Sequence, residues 1–395
     1  MNEMNRYSDG LKTSNPIPLL WVCGPSGVGK STVGWQFFSQ LEQSGIRIGY
    51  LDIDQLGMCY PAPVSDPERH HIKAKNLGEM VTTFKAAGAH CILVSGVVDE
   101  IHGVRDYFEH ISQTDLTLCR LRADHDILAE RLANRGLESS QIDATLRESD
   151  TLDRSDFADV CIDTSGSTVS EVIQLLDGQT GSWPALSGRT SSSNSQASTM
   201  RFPSLPDTPG MILWICGTTG VGKSTVGWRV FEEVRKAGIT AAFVDLEQIS
   251  FYRPVPDNDP ENHQIKAHNL AGLWQTFHES GARCLIVVGP INHADAIQTY
   301  TEVLPETSLR LCRLHAGSEQ LRHRIRLRGK GLGPRIAGDE LRGKPDTALQ
   351  QITERAVETA QELQRNALGD LCIDTGNRSV EEVAQMILAE VDGGS

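Results

Sequence analysis

The stretch WVCGPSGVGKSTVGW covers residues 21–35, and the nearly identical WICGTTGVGKSTVGW covers residues 214–228. Each contains the pattern G-x-x-x-x-G-K-[ST] between an apolar run typical of a buried strand and a stretch with helical spacing, the context this pattern requires. The glycines let backbone N–H groups turn toward phosphate oxygens, and the following helix presents its positive end. A glycine-rich turn arising by chance would not recur in the same context. The sequence therefore predicts two binding sites for a nucleoside triphosphate.

Two side chains in each loop have specific predicted roles. Lys30 and Lys223 would reach the β- and γ-phosphates, and Ser31 and Ser224 would each place a hydroxyl on Mg²⁺. ATP and Mg²⁺ are therefore the expected cofactors. The predicted ATP-binding residues are Gly24, Pro25, Ser26, Gly27, Val28, Gly29, Lys30, Ser31 and Thr32 in the first copy, and Gly217, Thr218, Thr219, Gly220, Val221, Gly222, Lys223, Ser224 and Thr225 in the second.

The similarity between the copies extends well beyond the loops. Lys30 and Lys223 lie 193 positions apart (223 − 30), and the same offset pairs Asp52 with Asp245. Late in the copies the motif CIDT recurs with an offset of 211 (374 − 163), so the second copy has gained 18 residues (211 − 193). Solenoid repeats have periods of roughly 20–50 residues, so this much longer period indicates tandem domains.

Apolar runs alternate with helical stretches in each copy. In the first copy PLLWVC, RIGYLDI, AHCILVSG, LTLCRL and ADVCIDT read as buried strands. Alternation predicts an α/β fold with a parallel sheet covered by helices on both faces. The predicted domains are residues 17–177 and 210–392, preceded by a disordered N-terminus (1–16) and separated by a flexible linker (178–209) rich in Ser, Gly, Thr and Pro.

The composition narrows the class of protein. A net charge of −14 argues against a nucleic-acid partner, which would need a basic face. The N-terminal residues lack the apolar core of a signal peptide, and no apolar run approaches the roughly 20 residues of a membrane helix. The nine cysteines show no CxxC spacing. We therefore expect reduced core thiols, a cytoplasmic location and no membrane partner.

An acid pair follows the second predicted strand of each copy. YLDIDQL supplies Asp52 and Asp54, and FVDLEQI supplies Asp245 and Glu247. The first acid of each pair suits a catalytic base for a substrate hydroxyl, or a ligand to Mg²⁺ through water; the second is a candidate for substrate binding. A strand-end turn or helix cap is the alternative. The third predicted strand ends in glycine or Ser-Gly, so neither copy places there the Asp–Glu pair usual in motor-type ATPases.

These features resemble the P-loop small-molecule kinases, among them gluconate kinase, adenylylsulfate kinase, shikimate kinase and chloramphenicol phosphotransferase. The resemblance rests on the GxSGxGKST loop, the acid pair after strand two and an arginine-bearing helix after strand four. It covers most of each half. It implies a five-stranded parallel core in each half, ATP and Mg²⁺ as co-substrates, and phosphoryl transfer to a small acceptor.

By this resemblance the lid arginines fall at Arg131 and Arg135 in the first copy and at Arg324 and Arg328 in the second. Such arginines close on the transferring phosphoryl group and neutralise charge developing on its oxygens. In the first copy a solvated basic face is the alternative. In the second copy eight Arg and Lys residues within positions 321–344 favour a mobile, anion-gripping lid.

The resemblance also indicates candidate acceptor-binding residues. Arg105 lies where several of these kinases use arginine to hold the acceptor, and its partner by offset is Gln298, so acceptor recognition is expected to differ between the halves. Lys73 and Lys266 follow the acid pairs, and each would contact an anionic acceptor or be an ordinary exposed helix lysine.

Two functions remain open at this stage. The first is an ATP-dependent phosphotransferase of two fused domains acting on a small polar metabolite or nucleotide, with a lid that excludes water. The second is a regulatory protein in which ATP binding sets the arrangement of the halves and hydrolysis resets it. A nucleic-acid kinase is disfavoured by the acidic charge. The sequence does not identify the acceptor, and it allows either contact between the domains or an oligomer.

Overall fold

The computed structural model describes residues 16–98, 104–184, 202, 208–291, 293–333, 338–339 and 341–392. We refer to residues 16–184 as half 1 and to residues 208–392 as half 2. The predicted disordered N-terminus and most of the predicted linker lie outside the described residues.

Each half is built on a sheet of apolar strands. The strands of half 1 are β1 (Ile17–Cys23), β2 (Ile48–Asp52), β3 (Cys59–Tyr60), β4 (Cys91–Ser95), β5 (Thr114–Arg122) and β6 (Val160–Asp163), and those of half 2 are β7 (Gly210–Cys216), β8 (Ala241–Asp245), β9 (Phe251–Arg253), β10 (Cys284–Val288), β11 (Thr307–His315) and β12 (Leu371–Asp374). The central strands are almost continuously buried, because parallel strands are covered by helices on both faces. The predicted α/β fold with two mostly parallel sheets is confirmed.

Eleven α-helices are present among the described residues. Half 1 contains α1 (Lys30–Gln43), α2 (His70–Ala86), α3 (His125–Ala133), α4 (Ser139–Asp153) and α5 (Val169–Gln179), and half 2 contains α6 (Lys223–Lys236), α7 (His263–Glu279), α8 (Ala294–Val303), α9 (Ser318–Gly329), α10 (Asp346–Arg365) and α11 (Val380–Asp392). None of these helices combines the length and hydropathy needed to cross a bilayer.

The halves exchange their edge strands. The sheet of half 1 has the order β6-β5-β1-β4-β2-β9, and that of half 2 has the order β12-β11-β7-β10-β8-β3, so each sheet ends in a strand from the other half. Both exchanged strands pair antiparallel: Tyr252 lies opposite Gly49, and Cys59 lies opposite Ala242. The predicted count of five strands was therefore too low by one. The extra strand was missed because it is two or three residues long and covers the open edge of the other sheet.

The interface between the halves is a hydrophobic core. Helices α2 and α7 pack against each other, and one buried cluster includes side chains of both halves. Tyr252 stacks on Phe84 with ring centroids 6.2 Å apart, and its hydroxyl donates a hydrogen bond of 2.8 Å to the carbonyl of Ala87. The halves therefore form one packed unit across this interface.

The packed part of half 1 extends past the predicted domain boundary at residue 177. Helix α5 ends at Gln179, and Trp183 is buried with its ring centroid 6.2 Å from that of Phe37. The start of the predicted flexible linker is thus part of the core of half 1, because a buried indole anchors it.

Candidate functional site

The two phosphate loops turn sharply from a strand into a helix. Gly29 and Gly222 precede α1 and α6 with φ angles of 104° each, a left-handed conformation that glycine adopts without strain. In the described part of the chain no side chain caps either helix start. The first backbone N–H groups of both helices therefore have no capping side chain, and such groups are the ones that a helix start offers to an anion.

The loop lysines lie inside their loops. The Nζ of Lys30 donates a 2.9 Å hydrogen bond to the carbonyl of Pro25, and the Nζ of Lys223 donates one of 3.1 Å to that of Thr218. Burial lowers the pKa of both lysines, and the neighbouring acid pairs oppose this shift. Both ammonium groups are thus held beside the loop and are only partly exposed.

The loop serines face the acid pairs. Ser31 Oγ donates to Asp52 Oδ2 at 3.4 Å, and Asp52 Oδ1 accepts the backbone N–H of Asp54 at 3.0 Å. Half 2 repeats this arrangement: Ser224 Oγ lies 3.2 Å from Asp245 Oδ2, and Oδ1 accepts the N–H two residues later at 3.0 Å. The first acid is therefore both a turn-forming residue and a neighbour of the loop hydroxyl.

The first acids hold their protons more tightly than ordinary carboxyl groups. Burial and the charge of Asp54 raise the pKa of Asp52 from 3.8 to about 6. Burial and the charge of Glu247 raise the pKa of Asp245 from 3.8 to about 6. Two neighbouring carboxylates, the first shielded and the second exposed, resist ionising together, and a cation would relieve the repulsion.

Two adjoining cavities lie beside the loop of half 1. The first has a volume of about 180 Å³ and is polar; it is lined by Ser26, Gly27, Gly29, Lys30, Ser31, Thr32, Asp52, Asp54, Gly96 and Arg135. The second has a volume of about 210 Å³ and is more apolar; it is lined by Gly27, Val28, Gly29, Thr32, Val33, Arg131, Arg135, Thr164, Ser167, Val169 and Val172. The cavities share part of the loop and one arginine. Together they form a trough with a polar end and an apolar end.

The arginines predicted as a lid pair have different surroundings. Arg135 lines both cavities, whereas Arg131 donates from Nη1 to Thr164 Oγ1 and from Nη2 to the Thr164 carbonyl, each at 2.9 Å. Arg324 is held in the same way by Thr375, at 2.9 Å and 2.7 Å. The threonine at the end of the last strand engages only some of the N–H groups of each guanidinium, and Arg131 also lines the second cavity, so the lid role of Arg131 and Arg324 stays a prediction.

These threonines were missed as site residues. Thr164 and Thr375 are buried and also donate hydrogen bonds of 3.3 Å and 3.2 Å to carbonyl groups of the phosphate loops. Each threonine thereby connects the last strand of its half, by hydrogen bonds, to the phosphate loop and to one arginine. The signal was present in the sequence as the repeated CIDT motif, whose final letter is this threonine.

The predicted helix lysines are not exposed. Lys73 has only 7% of its side chain exposed, and its Nζ lies 3.2 Å from Asp54 Oδ1. Lys266 is also buried, and burial lowers its pKa while the charge of Glu247 opposes the shift. The reading of these residues as ordinary exposed lysines is wrong, because both point into the acid-pair region.

The structure does not bring every predicted residue to the cavities. Arg105 is exposed in a short 3-10 turn, and Gln298 lies on the exposed side of α8, where its side chain donates to Glu302. Neither lines a cavity described above. A carboxylate that the sequence did not indicate, Glu148 on α4, lies close enough to raise the pKa of Lys30 against the effect of burial.

Among the described residues no cluster of three or more His, Cys, Asp or Glu side chains could hold a metal ion by itself. The loop hydroxyl and the first acid nevertheless supply two oxygen atoms at one point in each half. This donor set suits Mg²⁺, which typically takes one or two protein oxygens and completes its shell with phosphates and water. All nine cysteines are free and seven are buried, but Cys161 and Cys372 are exposed, so the prediction of core thiols is wrong for these two.

Comparison with known proteins gives matches to small kinases and to one domain family. Residues 20–153 match the model of the AAA domain family. No curated protein matches the chain. Similar solved structures include a gluconokinase from Sinorhizobium meliloti (17% identity, 48% of this chain, 94% of that chain, TM-score 0.33) and the APS kinase of Mycobacterium tuberculosis in complex with AMPPNP and APS (20%, 47%, 99%, TM-score 0.30). A shikimate kinase from Aquifex aeolicus is similar over 47% of this chain and 98% of that chain, at 17% identity and a TM-score of 0.29. Each of these three structures matches about half of this chain.

Proposed function

We propose that the protein is an ATP-dependent phosphotransferase with one nucleotide site in each half. The observation that carries the proposal is the repeated arrangement of loop lysine, loop serine and acid pair around an uncapped helix start. Both copies retain it to within 0.2 Å in each hydrogen bond, as the paired distances of 2.9 and 3.1 Å and of 3.4 and 3.2 Å indicate. The first acid of each copy also has a pKa raised to about 6, and shifted pKa values are common at functional sites.

The trough in half 1 supports an orientation for the nucleotide. Its polar end would receive the phosphates, and its apolar end, beside Val169 and Val172, would receive the base. Lys30 would turn from the Pro25 carbonyl to the β- and γ-phosphates, since a phosphate oxygen is a stronger acceptor than a carbonyl. Arg135 would neutralise charge on the transferring group.

Ser31 and Asp52 would hold Mg²⁺, and Ser224 and Asp245 would hold it in half 2. When bound, the ion supplies electrostatic stabilisation to the phosphate oxygens. Because Asp52 faces the loop hydroxyl, we assign it to the metal and not to the acceptor base that the sequence suggested as one of two roles. Asp54 remains for the acceptor: its side chain is 50% exposed, and Lys73 holds one of its oxygens.

The residues that we propose for acceptor binding supply one carboxylate and one ammonium group. Asp54 and Lys73 place a carboxylate and an ammonium 3.2 Å apart, so a small molecule with a hydroxyl group and an anionic or polar group would find partners for both. In half 2 the corresponding residues are Glu247 and Lys266, and the carboxylate is one methylene longer. The two halves would therefore accept related molecules of different size.

The test is acceptor-dependent ADP release by the full chain. A coupled ADP assay with Mg·ATP would be run against hydroxylated metabolites, nucleosides and sugar acids. The proposal predicts that at least one acceptor raises ADP release by orders of magnitude over the rate with water, since a kinase excludes water from its closed site. Release that stays slow with every acceptor but rises with a protein partner would contradict a kinase and support a nucleotide switch.

A further inference from the structure

Half 2 carries an insertion that half 1 lacks, and it follows directly after Arg328. We propose that Asp339 in this insertion is a positioning residue for Arg328, and that contact with half 1 holds Asp339 in place. The nucleotide site of half 2 would then depend on residues of both halves. The inference rests on the proposed function, because Arg328 has a task only where a phosphate group binds.

The contact between Arg328 and Asp339 is close and shielded. Arg328 Nε lies 3.1 Å from Asp339 Oδ1 and 3.2 Å from Oδ2, and only 5% of the Asp339 side chain is exposed. The carboxylate is itself fixed, since Oδ1 accepts the backbone N–H of Leu341 at 3.1 Å. Holding Nε fixes the plane of the guanidinium group, and the terminal nitrogens of that plane are the usual donors to phosphate.

Two observations place Arg328 at the phosphate end of its site. Its partner by the 193-residue offset is Arg135, which lines the polar cavity of half 1 together with Lys30. The charge of Arg328 also contributes to lowering the pKa of Lys223, so the two cations lie within electrostatic range. Asp339 places a carboxylate against Arg328, in addition to the acid pair that faces Lys223.

One described residue of the insertion lies against half 1. Gly338, next to Asp339, lies in a corner formed by Phe251 and Trp35: a Cβ atom at Gly338 would lie 2.8 Å from Phe251 Cζ and 2.9 Å from Trp35 Cη2. Phe251 belongs to the exchanged strand β9, and Trp35 lies on α1, the helix that begins with Lys30. The loop that positions Arg328 in half 2 therefore rests on the phosphate-loop helix of half 1.

The test measures nucleotide binding at half 2 alone. In the full chain with Lys30→Ala, which weakens the site of half 1, Asp339→Ala should weaken binding of a non-hydrolysable Mg·ATP analogue roughly tenfold to a hundredfold, because a misplaced arginine no longer meets the terminal phosphate. Binding of ADP, which lacks that phosphate, should change less than twofold. Asp346→Ala is the matched control: it removes an exposed carboxylate from the first turn of α10, and neither affinity should change.

A glycine pair tests the contact with half 1. Gly338→Ala and Gly343→Ala both place a side chain at a left-handed position, with φ of 70° and 72°, but only the first meets neighbouring atoms; nothing lies within 4 Å of a Cβ at Gly343. Backbone strain is thus the same in both variants. Gly338→Ala should reproduce the selective loss of analogue binding, and Gly343→Ala should not.

Three results would overturn the inference. They are an unchanged ratio of analogue to ADP affinity in Asp339→Ala, an equal loss of both affinities with a lowered melting temperature, and equal effects of the two glycine substitutions. Each of these requires that the Lys30→Ala parent still binds nucleotide. A parent that binds neither nucleotide at half 2, with the unsubstituted chain also inactive, would instead contradict the proposed function.

Discussion

The two phosphate loops have the same geometry and each faces an acid pair, but a further charged neighbour of the loop lysine differs. In half 1 the carboxylate of Glu148 acts on Lys30, and in half 2 the guanidinium of Arg328 acts on Lys223. The residue at the Glu148 position in half 2, by the 211-residue offset, is Thr359. The comparison indicates that the loop conformation is fixed locally by its glycines, while residues on α4 and α9 change the charge around the loop lysine.

The loops also differ in how they are tied to the helices above them. Thr218 in the loop of half 2 donates a 2.9 Å hydrogen bond to the carbonyl of Ala356 on α10. The matching residue in half 1 is Pro25, which has no hydroxyl group. In half 2 a hydrogen bond therefore ties the loop to α10, which has 20 residues, whereas α4 of half 1 has 15 residues.

Substitution of the loop lysines should have the largest effect on activity. Lys30→Ala and Lys223→Ala each remove a contact to the transferring phosphate worth about 3 kcal/mol, so turnover at that half should fall roughly a hundredfold or more. The double variant should lose acceptor-dependent ADP release altogether. Comparing the two single variants in the ADP assay measures how much of the acceptor-dependent ADP release each half contributes.

The control for this prediction is Lys75→Ala, which removes an ion pair with Glu279 across the interface and leaves both loops intact. It should keep full activity. ADP release that survives in the double variant would show that neither loop carries the reaction.

The exchanged strands should make the halves unfold together. Tyr252→Ala removes a ring buried against Phe84 and a hydrogen bond to half 1, and it should cost about 3–5 kcal/mol of unfolding free energy. Because the strand is shared, we expect one cooperative transition in urea whose midpoint shifts for probes in both halves. The control is Ile239→Ala, which removes an exposed side chain from half 2. Two separate transitions in the unsubstituted chain would contradict a common core.

The first acids should make the metal-free protein less stable as pH rises. A carboxyl whose pKa is raised in the folded state from 3.8 to about 6 binds its proton more tightly when folded, so unfolding free energy falls as pH rises from about 4 to about 6. Asp52→Asn and Asp245→Asn should therefore each stabilise the chain at pH 7.5 by roughly 1–3 kcal/mol and have little effect at pH 4.

Thermal melts without Mg²⁺ at the two pH values check this prediction, with Asp115→Asn as a control for an exposed carboxylate. Equal gains in Asp52→Asn and Asp245→Asn would show that the two acid pairs are electrostatically alike. A loss of stability at pH 7.5 in both variants would contradict repulsion between the two carboxylates of each acid pair.

We expect the smallest effect, a change in ATP affinity at half 1, from removing the charge of Glu148. Glu148→Gln removes the carboxylate that acts on Lys30, and in a Lys223→Ala chain it should tighten ATP binding at half 1 roughly threefold at low salt, since a partly exposed charge contributes at most about 1 kcal/mol. Calorimetry at low and high salt measures the change. A gain that does not shrink at high salt would indicate a structural effect and not an electrostatic one.

The sequence predicted those parts of the fold that depend on local patterns. The glycine pattern predicted the sharp turns at Gly29 and Gly222, and the apolar runs predicted the parallel strands. The exchanged strands β3 and β9 were not predictable, because strands of two or three residues have no periodicity and their partners lie in the other half. The buried state of Lys73 was equally invisible, since it depends on the packing of α2 against the turn after β2.

Site residues, too, were predictable where they depend on local sequence and not where they depend on contacts between distant residues. The loop residues and acid pairs came together as expected because each lies within a few residues of a strand end. The lid could not be assigned from spacing: Arg131 and Arg135 are four residues apart, yet only the second remains at the polar cavity. What separates them is a hydrogen bond from Arg131 to Thr164, a residue 33 positions away.

Nucleotide stoichiometry tests the central claim, that both cradles hold a triphosphate. Isothermal titration of the full chain with a non-hydrolysable Mg·ATP analogue should give two molecules bound per chain, one after either Lys30→Ala or Lys223→Ala, and none at the same concentrations in the double variant. An unsubstituted chain that binds no analogue, or a double variant that still binds two, would contradict the account.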